Sequence, residues 1–231
     1  KTAYEIRNCD WSSDVCSSDL VRTFMAQGSD PAARYDLSAL RIIISSGEPW
    51  TEDAWWWIFD RVGKRRVPIL NFSGGTEMGG ILSSTVIHPL KPCSFVGPVP
   101  STGADVVDEQ CRRVPPGVQG ELVMRRPCIG LTRGLWNDEA RYIDTYWSRF
   151  DGMYFPGDGC KIDADGDYWL LGRVDDVINV SGHRMGTAEV ESALVAHHKV
   201  AEAAVVGYPH DIKGQGIYAY VTLNVGEEPT D

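Results

Sequence analysis

The segment Gly172-Arg-Val-Asp-Asp-Val-Ile-Asn-Val-Ser-Gly-His-Arg184 gathers two arginines, two adjacent aspartates and a Ser-Gly pair into one short stretch. A buried strand would not interleave charges so densely, because an unpaired buried charge costs several kcal/mol. A plain solvated loop would lack the Val177, Ile178 and Val180 that anchor this one. The segment therefore reads as a rigid element presenting polar groups to an anion such as phosphate, the alternative being the charged edge of a β-hairpin. A second stretch, Asn71-Phe-Ser-Gly-Gly-Thr-Glu-Met-Gly-Gly80, places a hydroxyl and a carboxylate, Thr76 and Glu77, behind glycines that let backbone approach a ligand closely. By itself it is equally a flexible loop. A third, Tyr154-Phe-Pro-Gly-Asp158, ends in a carboxylate that can accept two hydrogen bonds from a cis-diol, although a lone Gly-Asp is usually a turn.

The elements around these stretches are legible. Arg41-Ile-Ile-Ile-Ser45 and Val67-Pro-Ile-Leu-Asn-Phe72 are short apolar runs of strand type, and Thr51 can cap a helix from Glu52 to Val62 between them. Strand, helix, strand at this spacing predicts a parallel βαβ unit, whose ligands gather at the carboxyl ends of the strands. The loops 46–50 and 73–80 fall at those ends. From Gly103 the pattern changes to antiparallel strands at Ala104–Val107, Gly120–Met124 and Asp167–Leu171, with a short helix from Asp138 to Trp147. After Asp175 a new unit begins: a strand to Val180, a helix from about Thr187 to His197, and strands near Ala203–Val206 and Ile217–Leu223.

Read in order, the three stretches resemble the AMP-forming acyl-CoA synthetases, of the adenylate-forming superfamily that includes luciferases and peptide-synthetase adenylation domains. The continuations Arg184-Met-Gly-Thr-Ala-Glu-Val-Glu-Ser-Ala-Leu194 and Val205-Val-Gly-Tyr-Pro-His-Asp-Ile-Lys-Gly-Gln215 resemble the acetyl-CoA synthetase branch in particular, and the similarity runs from about Val21 to the last residue. The resemblance implies a mixed α/β fold: the C-terminal part of a large AMP-binding domain over residues 21–174, with a parallel βαβ unit and an antiparallel barrel-like subdomain, then the start of a small α+β lid domain over 175–231. It implies an ATP-dependent acid–CoA ligase that activates a carboxylic acid as acyl-AMP and passes the acyl group to coenzyme A. An adenylation domain loading a carrier protein and a non-catalytic nucleotide-binding relative are the alternatives.

The same resemblance assigns roles. Gly47, Glu48 and Pro49 would line the adenine, and Asn71, Phe72, Ser73, Gly74, Gly75 and Thr76 would wrap the nucleotide. Glu77 would contact Mg²⁺ in the ATP complex. Asp158 and Arg173 would hold the ribose, and Arg184 would reach the phosphate, the arginines being suited by their fixed fork of donors. Pro156 stands where relatives often carry Thr or Ser. Asp175 would be the hinge about which the small domain swings. Ser181 and Gly182 would meet the pantetheine of coenzyme A. Val195, His197 and Val200 match a second Mg²⁺ site built on free carbonyls at a helix end. Acetate-specific relatives carry two consecutive tryptophans at Ser73 and Gly74, so the glycine predicts a medium-length or branched acid, each buried methylene being worth about 0.8 kcal/mol. Because the match starts and stops inside the family pattern, the chain is expected to be an internal fragment, inactive alone. Its phosphate loop would lie upstream and its catalytic lysine downstream.

Composition bounds the rest. A net charge of −10 argues against a nucleic-acid footprint, which would be basic, and 43% apolar residues suffice for a packed core. No apolar run approaches the length that spans a bilayer. Residues 1–20 carry a Ser-Ser-Asp repeat without apolar period, resemble translated sequencing-adapter read-through, and are expected to be a non-native leader. Cys93, Cys111, Cys128 and Cys160 show no C-x-x-C spacing and read as thiols of a reducing compartment, the cytoplasm. Cys111 sits at a turn where glycine would be more usual. Asp163-Ala-Asp-Gly-Asp167 resembles the start of a calcium loop, but its glycine is two places early, so it predicts a hairpin turn. Trp55-Trp-Trp57 is expected to be partly buried core rather than a stacking platform. Oligomeric state is left open.

Overall fold

The β-branched run at Ile43–Ser45 (β1) pairs in parallel with Ile69–Gly75 (β2), Ile43 lying opposite Ile69, and the helix Glu52–Arg61 (α2) crosses between them. These relations come from a computed structural model, which describes residues 17–26, 31–47, 49–180, 183–210, 214–224 and 226–229. The expected βαβ unit is therefore present: β1 and β2 each start two residues later than read from the sequence, α2 ends one residue earlier, and β2 runs three residues further, to Gly75. Thr51 occupies the N-cap position of α2, yet its side chain makes no capping hydrogen bond; Glu52 and Asp53 supply acidic residues in the first turn instead. Trp55 and Ala54 are buried against Ile69, while Trp56 stands exposed and donates Nε1 to Glu52 at 3.2 Å. Trp55 and Trp57 thus serve the core.

A helix, Ser17–Ala26 (α1), packs on α2 and buries Val21. It starts four residues inside the expected leader, and residues 1–16 lie outside the described residues.

The segment 73–80 departs from the expected loop. β2 continues to Gly75, turns at Thr76-Glu77 and returns as Met78–Ser83 (β3), antiparallel, with Gly75 opposite Met78. The glycines favour this hairpin, because a Cβ on Gly80 would clash with the edge of the Phe72 ring and one on Gly74 would sit 3.0 Å from Gly80 Cα. Gly97–Pro98 (β4) adds a fourth strand to this sheet.

The second sheet is antiparallel throughout, in sequence order: Ala104–Val107 (β5), Gln119–Met124 (β6), Asp158–Ile162 (β7) and Tyr168–Arg173 (β8). Val106, Leu122, Met124, Tyr154 and Cys160 fill its core. The helix Glu139–Tyr146 (α3) is capped by Asp138, which accepts from the Arg141 backbone N–H at 3.1 Å. Between β7 and β8, Asp163-Ala-Asp-Gly-Asp167 is a turn with Gly166 at φ +95°. Its three carboxylates converge on the Lys91 ammonium at 2.7, 2.7 and 3.0 Å, so a lysine supplies the positive charge there.

A third sheet, ordered β10-β9-β12-β11, holds Val177–Val180 (β9), His183–Gly186 (β10), Val200–His210 (β11) and Gly214–Leu223 (β12), with Thr187–Val195 (α4) packed on β11. The sequence pattern missed β10, whose polar residues carry no strand signal. Among the described residues no helix is long and apolar enough to cross a membrane.

Candidate functional site

The three sheets meet at a cleft of about 770 Å³. The turn after β1 contributes Gly47 and Pro49, and the β2–β3 hairpin contributes Ser73, Gly74, Gly75 and Glu77. The start of β7 brings Asp158 and the end of β8 brings Arg173, while Val195 of α4 faces in from the third sheet's side. Asp158 and Arg173 come together because β7 and β8 pair in a register that sets them opposite each other.

Arg173 is held by its own neighbours. Its Nε donates to Asp175 at 3.1 Å, NH1 donates to the Pro156 carbonyl and lies 3.6 Å from Asp158 Oδ1. Gly157 is at φ +93°, a conformation that favours glycine, and a Cβ there would displace the guanidinium from its present position. Asp158 pays for this position in its ionisation: burial pushes its carboxyl up to about 6, with Glu77 and Asp175 adding repulsion and Arg173 opposing the rise.

Glu77 is fixed from several sides. Its carbonyl accepts from Thr132 N at 2.7 Å, and its Oε1 accepts from the hydroxyl of Tyr154 at 2.8 Å. The carboxylate folds over Gly75, where a Cβ would come 2.5 Å from Oε1. Tyr154 is fully buried, and burial followed by the bond to Glu77 raises its phenol above the usual range.

Other expected site residues stand apart. Asn71 is buried and donates Nδ2 to the Ser94 carbonyl at 2.7 Å, a bond that ties β2 to the loop before β4. Phe72 packs beneath Gly80, and Thr76 is exposed at the hairpin tip. None of these three lines the cleft. His197 and Val200 also lie outside its lining: His197 is exposed, its carbonyl accepts Val200 N at 2.9 Å, and its Nδ1 accepts Lys199 N at 3.4 Å. Arg184 sits on β10 opposite Asn179. Glu48, Ser181 and Gly182 lie outside the described residues. Sequence reasoning gave no role to Tyr154 or to Tyr146, which lines the cleft and stacks on Tyr154 with ring centroids 5.3 Å apart. The Tyr154-to-Asp158 spacing was a usable signal for the first; nothing marked the second.

The family model described as AMP-binding enzyme matches residues 15–136, and that described as AMP-binding enzyme C-terminal domain matches residues 189–231. The chain belongs to the AMP-binding enzyme family. Among its relatives, the acetyl-coenzyme A synthetase of Xanthobacter autotrophicus is 52% identical over 213 residues, covering 91% of this chain and 33% of its own length. The acetyl-coenzyme A synthetase of Caulobacter vibrioides is 50% identical over the same length. The chain thus spans about a third of the length of these relatives, 33% in both. The crystal structure of the anthranilate CoA ligase AuaEII in complex with anthranoyl-AMP superposes with a TM-score of 0.78 at 27% identity, covering 93% of this chain and 40% of that one. The matched fold confirms the mixed α/β class expected from the sequence.

Proposed function

We propose that this chain is part of an AMP-forming acid–CoA ligase, working in the cytoplasm on ATP, a carboxylic acid and coenzyme A. The observation that carries the reading is the convergence of Glu77, Asp158 and Arg173, from two different sheets, on one cleft. In the first half-reaction a carboxylate oxygen attacks the α-phosphorus of ATP, the P–O bond to pyrophosphate breaks, and acyl-AMP forms. In the second, the thiol of coenzyme A attacks the acyl carbon, loses its proton, and AMP departs. Positioning and charge stabilisation carry both steps. Asp158 accepts hydrogen bonds from the ribose hydroxyls, Arg173 braces it and adds a ribose contact, and Gly47, Glu48 and Pro49 border the adenine. Ser73, Gly74 and Gly75 present backbone to the nucleotide, with Asn71, Phe72 and Thr76 shaping the hairpin. Arg184 serves the phosphate and Ser181-Gly182 the pantetheine.

Glu77 suits a magnesium ion. It lines the cleft, and its Oε2 has no hydrogen-bond partner among the described residues, which leaves one oxygen for a hard cation that usually takes one or two carboxylates plus phosphate and water. Such an ion would neutralise charge on the phosphates. The set Val195, His197 and Val200 fits less well, because the His197 carbonyl and Nδ1 already have partners. Residues 21–174 and 175–231 form the two moving parts in this reading, and Asp175, bonded to Arg173, is the hinge.

Gly74 favours an acid larger than acetate. Support comes from its place on the cleft wall with no side chain. Gly74→Trp in the full-length protein should move preference toward acetate, with a loss of stability because a Cβ there meets Gly80 Cα at 3.0 Å. The deciding experiment is acid-dependent ATP–pyrophosphate exchange by the full-length protein, from acetate to octanoate, followed by coenzyme A-dependent AMP release. Exchange with a medium-length acid supports the reading in full. Acetate turnover far above that of butyrate or hexanoate would sink the substrate assignment, and ATP binding without exchange would sink the ligase.

A further inference from the structure

We infer that Tyr154 is a positioning residue that aims the Glu77 carboxylate into the cleft. The inference rests on the proposed role of Glu77. Glu77 is the second residue of the β2–β3 turn, with the exposed Thr76 before it, so its side chain would otherwise have several rotamers to sample. Tyr154 removes that freedom. Its hydroxyl donates to Oε1 at 2.8 Å, which leaves Oε2 as the oxygen available to a ligand. A hydrogen bond to an ionised carboxylate is among the stronger ones a protein makes.

The tyrosine is itself immobile. It is fully buried, stacks on Tyr146 at an interplanar angle of 14°, and meets Trp147 edge-on with centroids 5.8 Å apart. Its backbone exchanges hydrogen bonds with Met124 at 2.8 and 3.1 Å. Helix α3, which carries Tyr146, anchors the backbone of Glu77 by another route: Tyr142 of α3 donates its hydroxyl to the Thr132 carbonyl at 2.7 Å, and Thr132 N donates to the Glu77 carbonyl at 2.7 Å. Both ends of Glu77 are therefore referred to one aromatic cluster packed on the second sheet, although Glu77 sits in the hairpin turn of the first. A carboxylate held this way binds without the entropic cost of ordering it at the moment of binding.

The test is Tyr154→Phe in the full-length protein, which removes one oxygen and keeps the ring. Calorimetric binding of a non-cleavable ATP analogue is titrated with Mg²⁺, and AMP binding without metal is measured beside it. The Mg²⁺ concentration for half-maximal analogue binding should rise about tenfold, as expected for losing a hydrogen bond to a charged group. AMP affinity without metal should stay within about twofold, since AMP has no need of Glu77 in this scheme. On a Glu77→Gln background, Tyr154→Phe should have no further effect on the Mg²⁺ midpoint. An unchanged midpoint in Tyr154→Phe, or equal loss of AMP and analogue binding, overturns the inference. If the Phe variant does not fold, 3-fluorotyrosine at 154 keeps the hydroxyl and alters its donor strength; a fixed midpoint then refutes the inference and a shifted one supports it. The proposed role of Glu77 is judged separately: if Glu77→Gln alone leaves the Mg²⁺ midpoint unchanged, that role fails whatever Tyr154 does.

Discussion

Asp158→Asn should make the protein more stable at neutral pH while weakening its proposed nucleotide site. Burial raises the Asp158 carboxyl from 3.8 to about 6 even though Arg173 lies beside it, so the folded state holds this proton more tightly than the unfolded chain does. By linkage, the stability associated with the neutral carboxyl is complete below about pH 4 and is lost as the pH rises through about 6. The rise from 3.8 to about 6 corresponds to at most about 3 kcal/mol, and screening by water at the open cleft puts the effect at roughly 1.5–3 kcal/mol. Asparagine has nearly the same shape and never ionises. Thermal unfolding of both proteins without nucleotide, from pH 4 to 8, should give coincident curves at the acid end. The variant should melt roughly 3–10 °C higher at pH 8, given how melting temperature scales with stability for a chain of this size. In the full-length protein at pH 8, AMP should raise the melting temperature of the parent and leave that of the variant nearly unchanged. A stability gap that does not vary with pH, or a variant less stable at pH 8, would refute the claim that burial dominates over the Arg173 attraction.

Lys91→Met should lower the melting temperature, because three aspartates of the β7–β8 turn would face one another without a counter-ion. Asp163 is held down to about 2, so its contribution is present above the unfolded value of 3.8 and disappears as the pH falls through about 2; unfolding curves of the two proteins should converge over that interval. Cys111→Gly should stabilise by about 0.5–1 kcal/mol, since Cys111 sits at φ +61° where a side chain is strained. Cys111→Ala, which keeps the Cβ, should give no such gain in the same denaturation assay.

The sequence by itself determined the parallel βαβ unit, the antiparallel strands β5, β6 and β8 and the family, because apolar periodicity and motif order are properties of the chain read in order; it did not mark β7, the strand that brings Asp158 to the site. The left-handed turn at Cys111 and the bend at Asp165-Gly166 were legible for the same reason: each depends on the backbone freedom of one or two residues. The hairpin at 73–80 was not, since a glycine-rich run is compatible with a loop, and its pairing depends on Gly80 fitting under Phe72. The ion cluster at Lys91 joins residues 72 positions apart to Asp163, which no local pattern encodes. The candidate site divides in the same way. Its residue types were readable in three motifs, but which of them face one cleft was decided by the β7–β8 register and by the docking of the sheets. That packing turned Asn71 inward to Ser94, set Glu77 against Tyr154, and buried Asp158 far enough to change its ionisation.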